Sequence, residues 1–297
     1  MKQSESDNNP LITVVVPVHN DWDIVPSLLS CLRCQTLPAS LFEMLFVDNG
    51  SDHIPETIEM PPNARLLTCD TPGSYAARNR SLQDARGRIL AFTDADCRPE
   101  ATWLERGLEA FRNPADRYLI VAGGVRMVAE HPDTPNPYEL YDIALGIPQE
   151  RYVTLGYAVT ANLFVHRQVF ELAGAFDCTR FSGGDAEFCR RAVRNGAELT
   201  YREAAMVEHP ARKTWVALVG KARRVKGGQI TAGPKSWRLH WTIRTCLPPV
   251  RAWYRATRNP RLGTGAKLKV CLIQGRLWLA ELDETARLLL RLKKPRR

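Results

Sequence analysis

Long apolar runs are missing from this 297-residue chain. No stretch reaches the roughly 18 consecutive apolar residues that a membrane-crossing helix requires, so none is expected. Residues 1–10 are polar, without the apolar centre of a secretory signal, and are expected to form a flexible N-terminus. No Gly-x-Gly-x-x-Gly run follows the first apolar segment. The turn there reads Pro17-Val-His-Asn20, which counts against the nearest α/β rival, a dinucleotide-binding oxidoreductase. The eight cysteines have no repeating spacing. Cys31-Leu-Arg-Cys34 is the one close pair, and it lacks a second pair to complete a zinc site. Two thiols on a helix in a reducing compartment are expected instead. Zinc-finger spacing and aromatic RNA-binding stretches are also absent. Nucleic acid is therefore not expected as a partner, despite an isoelectric point near 9.3.

Acidic residues are scarce at one end only. Residues 212–297 hold 22 Lys+Arg and 3 Asp+Glu, a balance of +19. Residues 1–211 hold 19 Lys+Arg and 29 Asp+Glu, a balance of −10, and the whole chain carries +9. An acidic body with a strongly basic end implies two tasks, the second directed at an anionic surface.

What is present reads as strands alternating with helices, the pattern of a parallel α/β sheet. The β-branched run 11–18 is a buried strand that Pro17 should end, since proline cannot donate to a ladder. A helix with Ile24, Val25, Leu28, Leu29 and Leu32 on one face follows, with Asp21 or Asp23 as its cap. Strands are expected at 42–47, 64–68 and 89–92. A helix opening at Gly73-Ser74 lies between the last two, with Arg78 and Arg80 exposed and Gly87 ending it. A helix at 103–111 and a strand at 119–127 come next, with Gly123-Gly124 permitting a bulge or close approach. Residues 131–150 read as an irregular Pro- and Tyr-rich loop, of a length often used for lids and binding loops. A strand at 163–165, a helix at 167–173 stopped by Gly174, a helix from Asp185 to Asn195-Gly196 and a strand at 201–207 complete the body.

The chemistry collects where strands end, the rim at which such sheets bind ligands. Successive strands end in His19-Asn20, in Asp48 and in Asp94-Ala-Asp96. Side chains at i and i+2 on an extended backbone point the same way. Two acids there call for a cation, and Mg²⁺ or Mn²⁺ suits carboxylate oxygens and a substrate phosphate. A second polar stretch is Gly183-Gly-Asp-Ala-Glu187, where the glycines allow close approach to a ligand and Asp185 stands at a helix start. His209 follows the last strand of the body.

Seven short pieces occur in one order: Val16-Pro-Val-His-Asn20, Phe46-Val-Asp-Asn-Gly-Ser51, Gly73-Ser-Tyr-Ala-Ala-Arg-Asn79, Phe92-Thr-Asp-Ala-Asp96, Gly174-Ala-Phe-Asp177, Gly184-Asp-Ala-Glu187 and Val207-Glu-His209. In that order the chain resembles the inverting family 2 glycosyltransferases. The resemblance implies a GT-A fold, α/β with a Rossmann-like, mostly parallel sheet flanked by helices, over residues 11–212. The nucleotide-sugar half would be about 11–98 and the acceptor half about 99–212. It implies a nucleotide-diphosphate sugar donor, UDP-linked by expectation, and an acceptor hydroxyl on a glycan or a lipid-linked glycan. Pro17, His19, Asn20, Asp48, Gly73 and Arg78 would form the nucleotide-sugar pocket, with Asp94 near the ribose. Asp96 and His209 would hold Mn²⁺ or Mg²⁺. Asp185 would be the catalytic base, with Gly183, Gly184 and Glu187 on the acceptor side. The family often carries Glu directly before the base, whereas this chain has Gly184, so Glu187 competes with Asp185 for that role.

Residues 213–297 carry none of these pieces and read as a basic, mainly helical C-terminal extension. Lys221, Arg223, Arg224 and Lys226 cluster, Trp237, Trp241, Trp253 and Tyr254 interleave with arginines, and residues 267–292 have helical apolar spacing. Aromatic and apolar residues mixed with Lys and Arg suit a segment lying in a membrane interface. The expectation is a cytoplasmic protein at the inner face of the cell membrane.

Overall fold

The computed structural model describes residues 9–56, 58–180 and 182–292. Most of the expected flexible N-terminus, residues 1–8, lies outside the described residues, as does Phe181. In chain order the elements are β1 (Ile12–Val18), α1 (Val25–Arg33), β2 (Phe42–Asp48), β3 (Ala64–Thr68), α2 (Ser74–Asp84), β4 (Ile89–Thr93) and β5 (Arg98–Pro99). Then come α3 (Trp103–Leu108), β6 (Leu119–Val128), α4 (Pro137–Leu145), α5 (Gln149–Thr154), β7 (Asn162–His166), α6 (Arg167–Ala173), α7 (Gly184–Arg194) and β8 (Glu198–Pro210). The C-terminal helices are α8 (Trp215–Thr231), α9 (Lys235–Cys246), α10 (Val250–Arg258) and α11 (Thr264–Leu289).

The eight strands of the described residues form one sheet in the order β3-β2-β1-β4-β7-β6-β8-β5. The first four are parallel, with β1 central and buried along its length. The expectation of a parallel sheet fails beyond β4, because β7 runs antiparallel to both β4 and β6, and β5 pairs antiparallel with β8. Pro17 does not end its strand. The ladder to β4 stops at Val15, so Pro17 pairs only with Val47 of β2 and Val18 follows in register with Asp48.

Two compact units result. The first comprises residues 1–125, 149–179 and 184–209, and the second 126–148, 180–183 and 210–297. In the first, Val15, Leu45, Leu90 and Phe92 of the parallel strands and Leu163 and Val165 of β7 share a core with Phe176 and Phe188. Glycines bring its strands close. A Cβ on Gly123 would collide with the Asn162 side chain and with the Ala205 carbonyl. Asn162 donates to the carbonyls of Gly124 and Ala205 (2.7 and 2.8 Å) and accepts from Trp103 Nε1 (2.8 Å), so a buried amide closes this part of the sheet.

The second unit is helical. Leu218 and Val219 of α8 pack with Ile273 and Leu277 of α11, and Ala256 of α10 with Leu262 and Val270. The loop expected over 131–150 is wrong, since most of it forms α4, in this unit, and the start of α5, in the first. Asn136 accepts from the amides of Tyr138 and Glu139, while Glu139 reaches back to the Asn136 amide (2.8 Å), a capping box with Pro137 at the first helical position. α1 lacks the expected cap. Neither Asp21 nor Asp23 caps it, because the helix starts after Ile24 with Pro26 in its first turn.

Candidate active site

The ends of β1, β2 and β4 in the first unit hold the expected rim. Asp48, 5% exposed, accepts from Trp22 Nε1 (2.8 Å) and from the amides of Gly50 and Ser51 (both 3.1 Å). Burial opposes its charge, yet the hydrogen bonds from Ser51, Trp22 and Gly50 outweigh burial and hold the carboxyl below its ordinary pKa. Asn20, at φ 59°, ties the β1 end to the β2 end. Its amide donates to Ser51 Oγ (2.9 Å), and its side chain exchanges hydrogen bonds with Asp52 (3.0 and 2.8 Å). His19 is exposed beside them, and Pro17 is half-buried near the end of β1.

Asn49 is the residue that sequence reasoning missed on this rim. Its buried side chain donates to the carbonyls of Cys69 and Thr71 (2.9 and 2.7 Å) and accepts from the Gly73 amide (2.6 Å). It thereby fixes the turn into α2, where Gly73 adopts φ 120°. Asp21, read only as a cap, also faces the rim. Burial first, then the charges of Asp23 and Asp94, raise its pKa.

Arg78 corrects a second expectation, because it is 2% exposed rather than solvated. Its Nη2 donates to Asp94 Oδ1 at 2.6 Å. A buried guanidinium needs such a partner, and the partner stands sixteen residues on at the end of β4. Asp96 lies two residues beyond, its Oδ2 3.8 Å from Nε2 of the buried His209, which belongs to β8 itself. The ligating atoms of Asp96, Cys97 and His209 lie within 4.8 Å of one another. The Cys97 thiol is buried, and that burial with the charges of Asp94 and Asp96 pushes its pKa well up, and a soft thiol is a poor match for a hard cation. The carboxylate and imidazole remain, an oxygen and nitrogen set that fits Mn²⁺ or Mg²⁺ with substrate oxygens completing the shell.

The candidate base lies in the first turn of α7. Tyr75 Oη donates to Asp185 Oδ1 (3.1 Å), and so does the Ala186 amide (2.9 Å). Burial raises the Asp185 pKa above the ordinary aspartate value, against the lowering effects of the Ala186 amide, Arg78, Tyr75 and the Thr160 amide. Tyr75 is fixed by stacking on Phe176 (5.8 Å), and Asn79 exchanges two hydrogen bonds with the Phe176 backbone (2.8 and 2.9 Å). Residues 75 and 78 share one face of α2. One helix face therefore reaches Asp185 through Tyr75 and Asp94 through Arg78.

Gly184 has a steric reason. A Cβ there would come within 2.7 Å of the Tyr75 ring. The acid that the family often carries at this position has no room while Tyr75 occupies it. Glu187, the competing acid, is engaged elsewhere, bonded at both oxygens to Arg191 (2.9 and 3.0 Å). Gly183 is exposed at φ +74°, a conformation that suits glycine.

This sheet with its carboxylate rim defines a glycosyltransferase of GT-A fold. More particularly, the chain belongs to glycosyl transferase family 2, whose pattern it matches over residues 13–172. It is 35% identical to glycosyltransferase AglE of Haloferax volcanii over 228 residues, 74% of this chain and 73% of that one. It is 28% identical over 218 residues to the pre-mycofactocin glycosyltransferase of Mycobacterium tuberculosis, covering 69% of this chain and 44% of that relative. Among solved structures, the mannosyltransferase PcManGT of Pyrobaculum calidifontis, in complex with GDP-Man and Mn²⁺, is similar with a TM-score of 0.61. That match has 17% identity and covers 97% of this chain and 89% of the other, a likeness of fold.

Proposed function

We propose that the chain moves a sugar from a nucleotide-diphosphate donor to an acceptor hydroxyl with inversion, Asp185 serving as general base. The observation that carries this reading is the pair of contacts from one face of α2, Tyr75 to Asp185 and Arg78 to Asp94. They put an acid of raised pKa and the donor-side carboxylates under one positioning element. Asp48, Asn20, Gly73, Arg78 and Asp94 bind the nucleotide. The acceptor oxygen attacks the anomeric carbon while its proton passes to the Asp185 carboxylate. The bond from that carbon to the diphosphate oxygen breaks on the opposite face, and the nucleoside diphosphate leaves with the electron pair. No covalent sugar–protein intermediate is needed. Asp96 and His209 would hold Mn²⁺ or Mg²⁺, which when bound supplies neutralisation of diphosphate charge.

Structural neighbours bind GDP-Man and UDP-GlcNAc, which supports a nucleotide-sugar donor. UDP-linked sugars are the first to test, with glycan or lipid-linked acceptors of cell-surface synthesis. The experiment is a donor screen for nucleoside diphosphate release with Mn²⁺, followed by NMR of the glycoside formed. The expected result is release from one donor class, lost in EDTA and restored by Mn²⁺, with a product of inverted anomeric configuration. Retained configuration, full turnover in EDTA, or no release from any donor would overturn the reading.

A further inference from the structure

The three acids of the basic end are all spent inside the second unit. Glu281 lies 3.4 Å from Lys226, Glu284 is fully buried 3.6 Å from Arg223, and Asp283 meets Arg223 and Arg287 (3.5 and 2.8 Å). Residues 235–258, which make α9, α10 and the turn between them, contain no acid at all. No acid within this stretch offsets its charge.

The same stretch exposes a run of large apolar side chains. Leu239, Ile243, Leu247, Val250 and Tyr254 are 61, 56, 53, 62 and 62% exposed. Leu239 and Ile243 are four residues apart on α9, Val250 and Tyr254 are four apart on α10, and Leu247 lies in the proline turn between the two helices, so each helix carries its own exposed apolar stripe. A core would bury such a stripe, and in the second unit the core takes other faces instead. Thr245 and Ala256 turn inward, and Trp253 donates to the Cys271 carbonyl (3.0 Å). The exposed Arg244 follows Ile243 on α9, and the exposed Arg251 and Arg258 lie seven residues apart on α10. On an ideal helix Arg251 and Arg258 stand beside Val250 and Tyr254.

We infer that α9 and α10 dock on an anionic lipid bilayer, laying these stripes into the interface with Arg244, Arg251 and Arg258 on the phosphates. A protein partner of similar hydrophobicity would not require a stripe set among cations with no acid. A leaflet bearing phosphodiester charge supplies both the apolar depth and the counter-charge. The occupant lies along the helices, since no helix of the described residues is long and apolar enough to cross a membrane. The inference does not depend on the sugar-transfer chemistry, although a lipid-linked acceptor would be found at such a surface.

The test is flotation of the purified full chain with phosphatidylglycerol vesicles and with phosphatidylcholine vesicles. Flotation with the first only, weakened by salt, is expected. The triple substitution Arg244→Gln, Arg251→Gln, Arg258→Gln should weaken it on the order of a hundredfold. Ile243→Glu with Tyr254→Glu should abolish it while leaving the melting temperature and the donor-binding thermal shift unchanged. Those two readouts separate lost docking from lost folding and from failure of the enzymatic reading. Recovery in the pellet with both vesicle types would overturn the inference. So would equal flotation of the variants, or a concentration-dependent dimer that the Ile243 and Tyr254 substitutions dissolve.

Discussion

As the proposed base, Asp185 meets two demands, since burial favours its neutral form and a base must be ionised. Its folded-state pKa is raised, so the native state holds the proton more tightly than the unfolded chain. The stability this contributes is full at low pH and is lost as pH rises through the raised value. Activity has the opposite sign and fails as pH falls through the same value. Tyr75 donates to the ionised carboxylate and lowers its pKa. Tyr75→Phe is therefore expected to move the acid limb of the kcat/KM profile to higher pH, with donor binding retained. An unmoved limb would remove Tyr75 from the account. Asp94, Asp96, Asp185 and His209 were legible as candidates because strand ends and glycine turns announce them. Tyr75 was not, since an aromatic in a helical pattern reads as core and its partner is 110 residues away. Arg78 was misread as solvated for a similar reason. Its helix has a weak apolar stripe, and the acid that draws it inward lies on another element.

At the scale of elements, α2 and the first turn of α7 are built against each other, with Gly184 as the point of contact. Any side chain there displaces the Tyr75 ring, which is already stacked on Phe176. Gly184→Ala is expected to cost about 1–3 kcal/mol as an overpacked contact and to reduce turnover at least about tenfold by moving the Tyr75 hydroxyl. Gly184→Glu, which installs the acid the family often carries, should be worse rather than a gain. Thermal melting read beside turnover checks both, and wild-type turnover in either variant would contradict the packing argument. The parallel strands β1 to β4 were readable from β-branched runs and their turns. The reversal at β7 was not, because direction depends on where a strand is inserted and its own residues do not encode that. α4 was within reach, since Asn136-Pro-Tyr-Glu139 is a capping signal, but the surrounding prolines and tyrosines masked it.

Over the whole molecule, the acidic and basic parts of the sequence fall largely in different units. The carboxylates proposed for sugar transfer lie in the first unit, and the acid-free helices α9 and α10 lie in the second. Charge asymmetry was visible from composition alone. Which helix faces stay exposed was not, because α11 uses Val270, Ile273 and Leu277 for packing while leaving Leu268, Leu272 and Leu279 outside. Sugar transfer as proposed needs Asp185 as the base, with Glu187 two residues on serving the helix instead. The direct measurement is acceptor-dependent turnover of the full chain carrying Asp185→Asn beside Glu187→Gln. Asp185→Asn should lose about 10²-fold or more of turnover, with donor binding intact and the fold retained. Glu187→Gln should keep most of its turnover and lose some helix stability through Arg191. An active Asp185→Asn beside an inactive Glu187→Gln would contradict the account.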